Sequence, residues 1–442
     1  MKKILFFLLI SLLTFSAQAQ LTTLVDHLHS AIGVTVDEWG NQWVTDQGTG
    51  HDDGQVIMVT KSGKKHLVFD QLPSVMNEEG DAVSAWKVIH MTYSRIALLM
   101  GGNHHLTTNH GRLLIFDMAG FTPGEDSPKT IADTTHSIDI ATYGQAISGK
   151  DDSDPFSAVQ DEDGNWFIAD AGADAILRIS RNGRNYSVLA RFPLIPNPTP
   201  VGGPFIDPVP TGIVALPNYG GFLVTTLTGF PFVKGLASIY KVDRDGTVTP
   251  YLTGLTLLTG IAVDRNNTIY VNQFGRFELP AGFVFGSGQV IRIRNHHIID
   301  TIAKGYGPGP GLAIYDARKL YVTSLFTGEL LTMNIPSESA NNASSLSPSL
   351  ETRERFSTSL QVNAYPNPAT DRIQISWNNA DATGDIQMRI TDIEGRIMLL
   401  HDRINASVGK KEIDVTSFTP GTYLLSLNSK QGQSVHKFNV IR

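Results

Sequence analysis

The chain has 442 residues, a formal charge of -7, no cysteine, 41 glycines, 22 prolines and 41% hydrophobic residues. That length suggests two or three domains, and the composition is that of a globular, turn-rich chain. Only 17% of residues are charged and no basic block occurs, which excludes nucleic acid as the partner, because phosphate binding needs clustered Lys and Arg.

Residues 1–19 read as a signal peptide. Lys2-Lys3 is a basic start, Ile4 to Phe15 an apolar core, and Ala17-Gln18-Ala19 a small-residue cleavage site, so the mature chain is expected to begin at Gln20. No later stretch is long and apolar enough for a transmembrane helix. An exported chain without cysteine must be held together by its core and not by disulfides.

The repeat unit is clearest from Thr259 to Tyr306. Gly260 to Asp264 alternates into an Asn266-Asn267 turn, Thr268 to Asn272 runs back, and Gln289 to Arg294 and Ile298 to Ala303 follow. Four short runs rich in β-branched residues and bounded by turn residues predict a four-stranded antiparallel meander. Its opening pair recurs at Gly33–Asp37 with Gln42–Asp46, Lys87–Met91 with Arg95–Leu99, Ala158–Asp161 with Trp166–Asp170, Gly212–Val214 with Phe222–Thr226, and Gly311–Ile314 with Leu320–Thr323. Six copies at spacings of about 50 to 70 residues predict a six-bladed β-propeller over residues 20–335. The last copy lacks a fourth strand, and Leu21 to Leu28 reads like one, so residues 21–28 are expected to close the sixth blade and cover its open edge.

Residues 336–360 are rich in Ser and Asn, too poor in apolar groups to fold, and predict a linker. From 361 to 442, several short alternating strands predict a small Ig-like β-sandwich, so the fold class is all-β.

Two resemblances follow. Tyr365-Pro366-Asn367-Pro368-Ala369 with Asp371, the Asp392-to-Gly395 turn before Arg396, Gly421-Thr422-Tyr423, and Lys437-Phe438-Asn439-Val440 resemble the C-terminal sorting domain of type IX secretion substrates. This implies the type IX machinery as a partner, passage through the periplasm, and a secreted or cell-surface destination on the outer face of the outer membrane. Val44 to Gly50, the Pro196 to Phe205 run with Val209 to Gly212, and Thr226 to Phe232 look like the ScyD/ScyE family, named for proteins associated with scytonemin pigment production and predicted to be NHL-like propellers. That resemblance implies a fold and names no reaction.

In a propeller, the long loops here (Asp46 to Gln55, Gly101 to Gly111, Asp117 to Ser157, Arg191 to Thr211, Thr226 to Ser238, Gln273 to Gly288) share one face, where a rigid scaffold presents variable segments. The opposite face receives tight turns such as Asp161-Glu162-Asp163-Gly164, whose residues are those a β-turn demands and lack the closing Glu of a calcium loop. Asp46, Asp170 and Asn272 occupy equivalent second-strand ends and are expected to converge near the axis. Resemblance to lactonase-type propellers would make them a divalent-metal site, calcium for example, polarising a substrate carbonyl; ordinary strand-end chemistry is the competing reading. His104, His105 and His110 share a loop, with His90 on the preceding inner strand, but no zinc spacing is present. Phe205, Phe230 and Phe232, with Phe274, Phe277, Phe283 and Phe285, lie in or beside the long loops, where they either pack those loops or stack on a ligand. The expected function is a binding module for a small molecule, glycan or protein; the alternative is a metal-dependent hydrolase or lactonase.

Overall fold

The computed structural model describes residues 21–77, 80–91, 94–102, 105–150, 152–216, 220–279, 282–336, 361–378, 385–392, 397–405, 408–429 and 432–441. The expected signal peptide, the expected linker from 337 onward, His104 and residues 393–396 of the sorting motif lie outside these.

Over residues 21–336, tight turns and alternating apolar residues build six four-stranded antiparallel sheets among the described residues. The first runs Ala31–Val36, Gln42–Asp46, Gly54–Val59, Lys65–Leu72. The second runs Ala85–His90, Arg95–Met100, Arg112–Asp117, Thr134–Asp139, and the third Pro155–Gln160, Trp166–Asp170, Ala175–Ile179, Tyr186–Arg191. The fourth runs Pro210–Ala215, Phe222–Thr226, Ala237–Val242, Val248–Leu255, and the fifth Leu258–Val263, Ile269–Gln273, Gly288–Arg294, His297–Tyr306. The sixth takes Leu312–Tyr315, Lys319–Ser324 and Glu329–Asn334, and its fourth strand is Thr22–Val25 from the other end of the segment, with Thr22 opposite Thr332.

The turns explain their Asp residues. Asp37 accepts the Trp39 and Asn41 N–H groups, Asp161 that of Asn165, and Asp264 those of Asn266 and Thr268, at 2.7 to 3.1 Å. These carboxylates are spent on their own turns, as expected of Asx chemistry.

The second strands Gln42–Asp46, Trp166–Asp170, Phe222–Thr226 and Ile269–Gln273 are buried at every position. A strand covered on both faces reads as an apolar run, and each such Val, Ile or Phe contributes about 1.5–3 kcal/mol. Apolar side chains gather into clusters shared by successive sheets: Phe69, Leu98 and Phe116 join the first and second, Leu113, Trp166 and Leu177 the second and third, and Val44, Val59, Tyr321 and Leu330 the first and sixth. The innermost strands also touch in succession, Leu312–Tyr315 meeting Ala31–Val36. The arrangement is propeller-like.

What lets the inner strands approach is the pairing of glycine with threonine. A Cβ at Gly33 would meet the Trp86 carbonyl oxygen at 2.0 Å, at Gly212 the Thr259 oxygen at 2.5 Å, and at Gly311 the Ile32 oxygen at 2.7 Å. Glycine in a strand interior marks such a close backbone approach. Each of these glycines donates its N–H to a buried threonine hydroxyl, Thr45, Thr225 or Thr323, at 2.8 to 2.9 Å. Each hydroxyl in turn donates to a carbonyl of the neighbouring sheet: Trp86 at 3.4 Å, Thr259 at 3.2 Å and Ile32 at 3.0 Å.

The segment from Asp117 to Ser157, expected as one long loop, is not one. It contains the strand Thr134–Asp139 and the helix Ala141–Ser148. The strand is the outermost of its sheet and buries only Ile138, so it carries no apolar alternation. The helix is one of eight residues, ended by Gly149 in the left-handed conformation at φ 72°. Among the described residues no helix is long and apolar enough to cross a membrane.

At the other end of the chain, a three-stranded sheet (Gln361–Tyr365, Arg372–Asn378, Val408–Asp414) and a four-stranded one (Ile397–Asn405, Asp385–Asp392, Gly421–Ser429, Gly432–Val440) enclose one core. Ile373, Ile375 and Trp377 supply it from the first sheet, and Met388, Ile390, Leu425 and Phe438 from the second.

Candidate functional site

Asp46 ends its strand fully inside the fold, 2% exposed. Its carboxylate accepts the N–H groups of His29 at 3.0 Å, Ser30 at 2.8 Å and Gly48 at 3.2 Å, with the His29 ring at 3.6 Å. Asp170 is wholly buried and accepts the Ser153 hydroxyl at 2.5 Å and the N–H groups of Asp154 at 2.8 Å and Ala173 at 3.0 Å. Gly144 of the helix sits directly above it, where a Cβ would come within 3.1 Å of the Asp170 Oδ2. Burial pushes this carboxyl up to about 6 despite those three donors. Asn272 donates to the Gly309 carbonyl and accepts from the Tyr306 hydroxyl, both at 2.5 Å.

All three side chains therefore fasten second-strand ends to the segments leading into inner strands. None of them lines the axial cavity, whose wall is made by residues 32–34, 86–87, 156–157, 212–213, 259–261 and 310–312. The two carboxylates are held by main-chain N–H groups and the Ser153 hydroxyl, and the Asn272 amide by the Gly309 carbonyl and the Tyr306 hydroxyl. Among the described residues no three His, Cys, Asp or Glu side chains group as a metal site.

The histidines also separate. His110 is 1% exposed; its Nδ1 pairs with the Thr107 hydroxyl at 2.7 Å and its Nε2 with the Val83 carbonyl at 3.0 Å. Nε2 therefore carries the proton and Nδ1 accepts, and burial holds the ring below its ordinary pKa, in the neutral form. His90 lies at the opposite end of its strand, paired with Ile96, whereas Ala85 at the near end pairs with Met100 beside the loop of His105 and His110. It packs edge-on against Trp43 at 5.3 Å. The chain therefore offers no four-histidine set among the described residues.

The phenylalanines do assemble. Phe232 contacts Phe277 at 4.9 Å and Phe283 at 5.3 Å, Phe274 contacts Phe283 at 5.1 Å, and Phe230 reaches Phe232 at 6.1 Å and Phe277 at 6.3 Å, mostly edge to face. This cluster joins the long loops of the fourth and fifth sheets, yet Phe230 remains 50% exposed. The hairpin Ile195–Pro196 with Phe205–Ile206 flanks it: a Cβ at Gly202 would lie 3.8 Å from Phe230 Cδ1, and Phe205 is 57% exposed. Phe230 thus presents an exposed ring on an aromatic cluster whose interior is already packed.

In the C-terminal unit the motif residues are structural partners. The Asn367 side chain accepts the Asn439 N–H at 2.8 Å, and Ala369 bridges to Val440, which seats the Tyr365-Pro366-Asn367-Pro368 segment beside the final strand. The Asp371 carbonyl accepts the Val415 N–H at 2.9 Å. Tyr423, two residues after Gly421, is 2% exposed, donates to the Thr419 carbonyl at 2.7 Å and packs against Phe418 and Phe438. Lys437 lies in the strand Gly432–Val440, opposite Leu424.

The described fold thus defines a propeller-like β protein with a small two-sheet β unit at its C-terminal end. Residues 363–441 match the family model described as Secretion system C-terminal sorting domain. The chain carries a type IX sorting domain there, the mark of a protein exported to the cell surface or beyond it. No curated protein sequence matches the chain. Among solved structures it is similar to a structural genomics protein of unknown function from Bacteroides thetaiotaomicron, at 9% identity over 72% of this chain and 76% of that one, TM-score 0.46. It is similar to the calcium-binding protein regucalcin from Agrobacterium tumefaciens, at 14% identity over 73% and 95%, TM-score 0.44. It is also similar to a gluconolactonase from Xanthomonas campestris, at 12% identity over 72% and 91%, TM-score 0.41. Chemistry does not transfer at such identities.

Proposed function

We propose that this protein is an exported binding module: a closed six-bladed propeller of the ScyD/ScyE, NHL-like type over residues 20–335, led by a cleavable signal peptide at 1–19. A linker at 336–360 tethers it to an Ig-like sorting domain at 361–442, which takes it from the periplasm through the outer membrane, to stay on the outer face or be released. The sharing of an apolar cluster between the sixth and first sheets, and an axial cavity walled by all six inner strands, support the closed ring.

The observation that carries the binding reading is the exposure of Phe230 and Phe205 on a loop surface that already has its own aromatic core. Phe230, held by its contacts with Phe232 and Phe277, and the exposed Phe205 of the neighbouring hairpin suit a flat-faced ligand, a glycan or a polyphenol. The hydrolase alternative, with Asp46, Asp170 and Asn272 as metal ligands, is less well supported because main-chain donors and buried partners already occupy those side chains.

A glycan and polyphenol array followed by calorimetry tests the reading. Phe230→Ala and Phe205→Ala are each expected to weaken the selected ligand tenfold or more, at about 1.4 kcal/mol per decade. Unchanged affinity in both variants would overturn it.

A further inference from the structure

Two of the long loops cross beside Phe230. The backbone of residues 207–209 pairs with that of 227–229: Leu227 donates to the Val209 carbonyl at 2.9 Å, Thr228 to that of Pro208 at 3.2 Å and Gly229 to that of Asp207 at 2.9 Å. The crossing is costly. Val209 and Thr228 are both β-branched and both held in the left-handed conformation, at φ 51° and 75°, where a branched side chain is strained. The Thr228 hydroxyl is buried as well and has no hydrogen-bond partner among the described residues. An ion triad fastens this crossing. Asp174, 6% exposed, accepts the Val209 N–H at 3.2 Å through one oxygen and the Lys150 ammonium at 2.6 Å through the other. Lys150 also reaches the Asp207 Oδ1 at 3.2 Å.

What the strained crossing fixes is a carboxylate beside an aromatic ring. Gly229 directly precedes Phe230, and a Cβ on it would lie 3.7 Å from the Asp207 Cβ. Phe205 and Asp207 are both exposed on either side of buried Ile206, so this stretch turns both outward. One ammonium cannot balance two carboxylates. Lys150 lies closer to the buried Asp174, and the exposed Asp207 keeps its Oδ2 without a hydrogen-bond partner among the described residues. An exposed ion pair is weak, and the face of an aromatic ring attracts cations. The surface beside Phe230 therefore favours a positive charge carried on a flat frame.

We propose that the ligand of this loop face carries a protonated amine, as a glycan with free amino groups does, and that Asp207 is the residue that selects it. This rests on the reading above that Phe230 stacks on the ligand, and adds the charge: the ring takes the apolar face of a sugar while the Asp207 Oδ2 accepts from the ammonium. The same sugar with its amine acetylated has no charge to offer and loses the preference.

The probe is a trimer of glucosamine, compared with its fully N-acetylated form by calorimetry on the full chain at pH ~6, where the amines are protonated. The free-amine trimer is expected to bind about tenfold more tightly. Asp207→Asn is expected to bring the two trimers within about twofold of each other. Asp245→Asn, the same charge change on the tight turn between Ala237–Val242 and Val248–Leu255, is expected to leave the ratio intact. Phe230→Ala is expected to weaken both trimers and keep their ratio. Equal affinity for the two trimers, a ratio unchanged in Asp207→Asn, or a ratio reduced as much by Asp245→Asn overturns the proposal and leaves the stacking on Phe230 standing. If neither trimer binds, the proposal is overturned as well, and the stacking is then judged alone on the ligand selected from the array.

Discussion

The Thr323 hydroxyl donates to the Ile32 carbonyl at 3.0 Å while accepting the Gly311 N–H at 2.8 Å, so one oxygen stitches the sixth sheet to the first across 291 residues. Thr323→Val removes both bonds and leaves a buried N–H and a buried carbonyl unpaired, which costs about 1–3 kcal/mol. Urea unfolding is expected to show that loss, and Thr323→Ser is expected to recover most of it. A valine variant as stable as the parent would show that the stitch is idle.

Gly33 faces the Trp86 carbonyl so closely that a methyl group has no room, at 2.0 Å. Gly33→Ala must push the first and second inner strands apart, an overpacking error that costs typically 1–3 kcal/mol. Gly63, with nothing within 4 Å of the place a methyl would take, makes a control of limited use because its φ of 89° strains any side chain. Gly203, open and without such a φ, is the better one. The expected order of melting temperatures is parent and Gly203→Ala together, with Gly33→Ala well below.

Deleting residues 21–28 removes the strand paired with Glu329–Asn334, together with buried Val25 and Leu28. At about 1.5–3 kcal/mol for each buried aliphatic side chain, several kcal/mol are lost, and the strand left bare becomes an edge open to other chains. Calorimetry is expected to show a lower transition, and light scattering the onset of self-association. A monomer of unchanged melting temperature would contradict this.

Asp170 has a folded-state pKa of about 6 against an ordinary 3.8. A carboxyl raised in this way favours folding fully below pH ~4, and the contribution is lost as pH rises through ~6. In Asp170→Asn the amide oxygen can keep the Asp154 and Ala173 N–H groups and the NH2 can turn to the Ser153 oxygen, much as an asparagine stands at position 272. The variant is expected to fold and to lose the pH dependence between 4 and 6, seen as the difference between parent and variant melting curves. Asp170→Ala, which strands those donors, is expected to cost about 1–3 kcal/mol or more.

The strand pairs are readable from sequence because both their signals are local: apolar runs such as Trp166-Phe167-Ile168-Ala169, and turns such as Asp161 to Asn165 in which the side chain bonds its own loop. Thr134–Asp139 is not readable, since an outermost, solvated strand needs no apolar alternation. Nor is the short helix Ala141–Ser148, whose seat over Asp170 depends on the absence of a side chain at Gly144. The candidate site is harder still. Asp46 and Asp170 stand at positions where a metal ligand and a main-chain fastener look alike, and only the placing of Ser30 and Asp154 separates the two. Lys87 and Ser157 carry one usable signal, a lone charge within the apolar run Trp86-Lys87-Val88-Ile89 and a hydroxyl at the matching point of the next inner strand, but their meeting at 2.9 Å depends on how the second and third sheets pack.

The partnership of Thr22 with Thr332 sets an order in time. The strand Thr22–Val25 is completed late, because its hydrogen-bonding partner does not exist until some three hundred further residues have been delivered. Contacts this distant along the chain are slow to form, so the newly made protein passes through a stage in which five sheets can be whole while the sixth gapes, its two halves at opposite ends of the same segment. Whatever carries the chain during export must keep that gap from being filled by a neighbour.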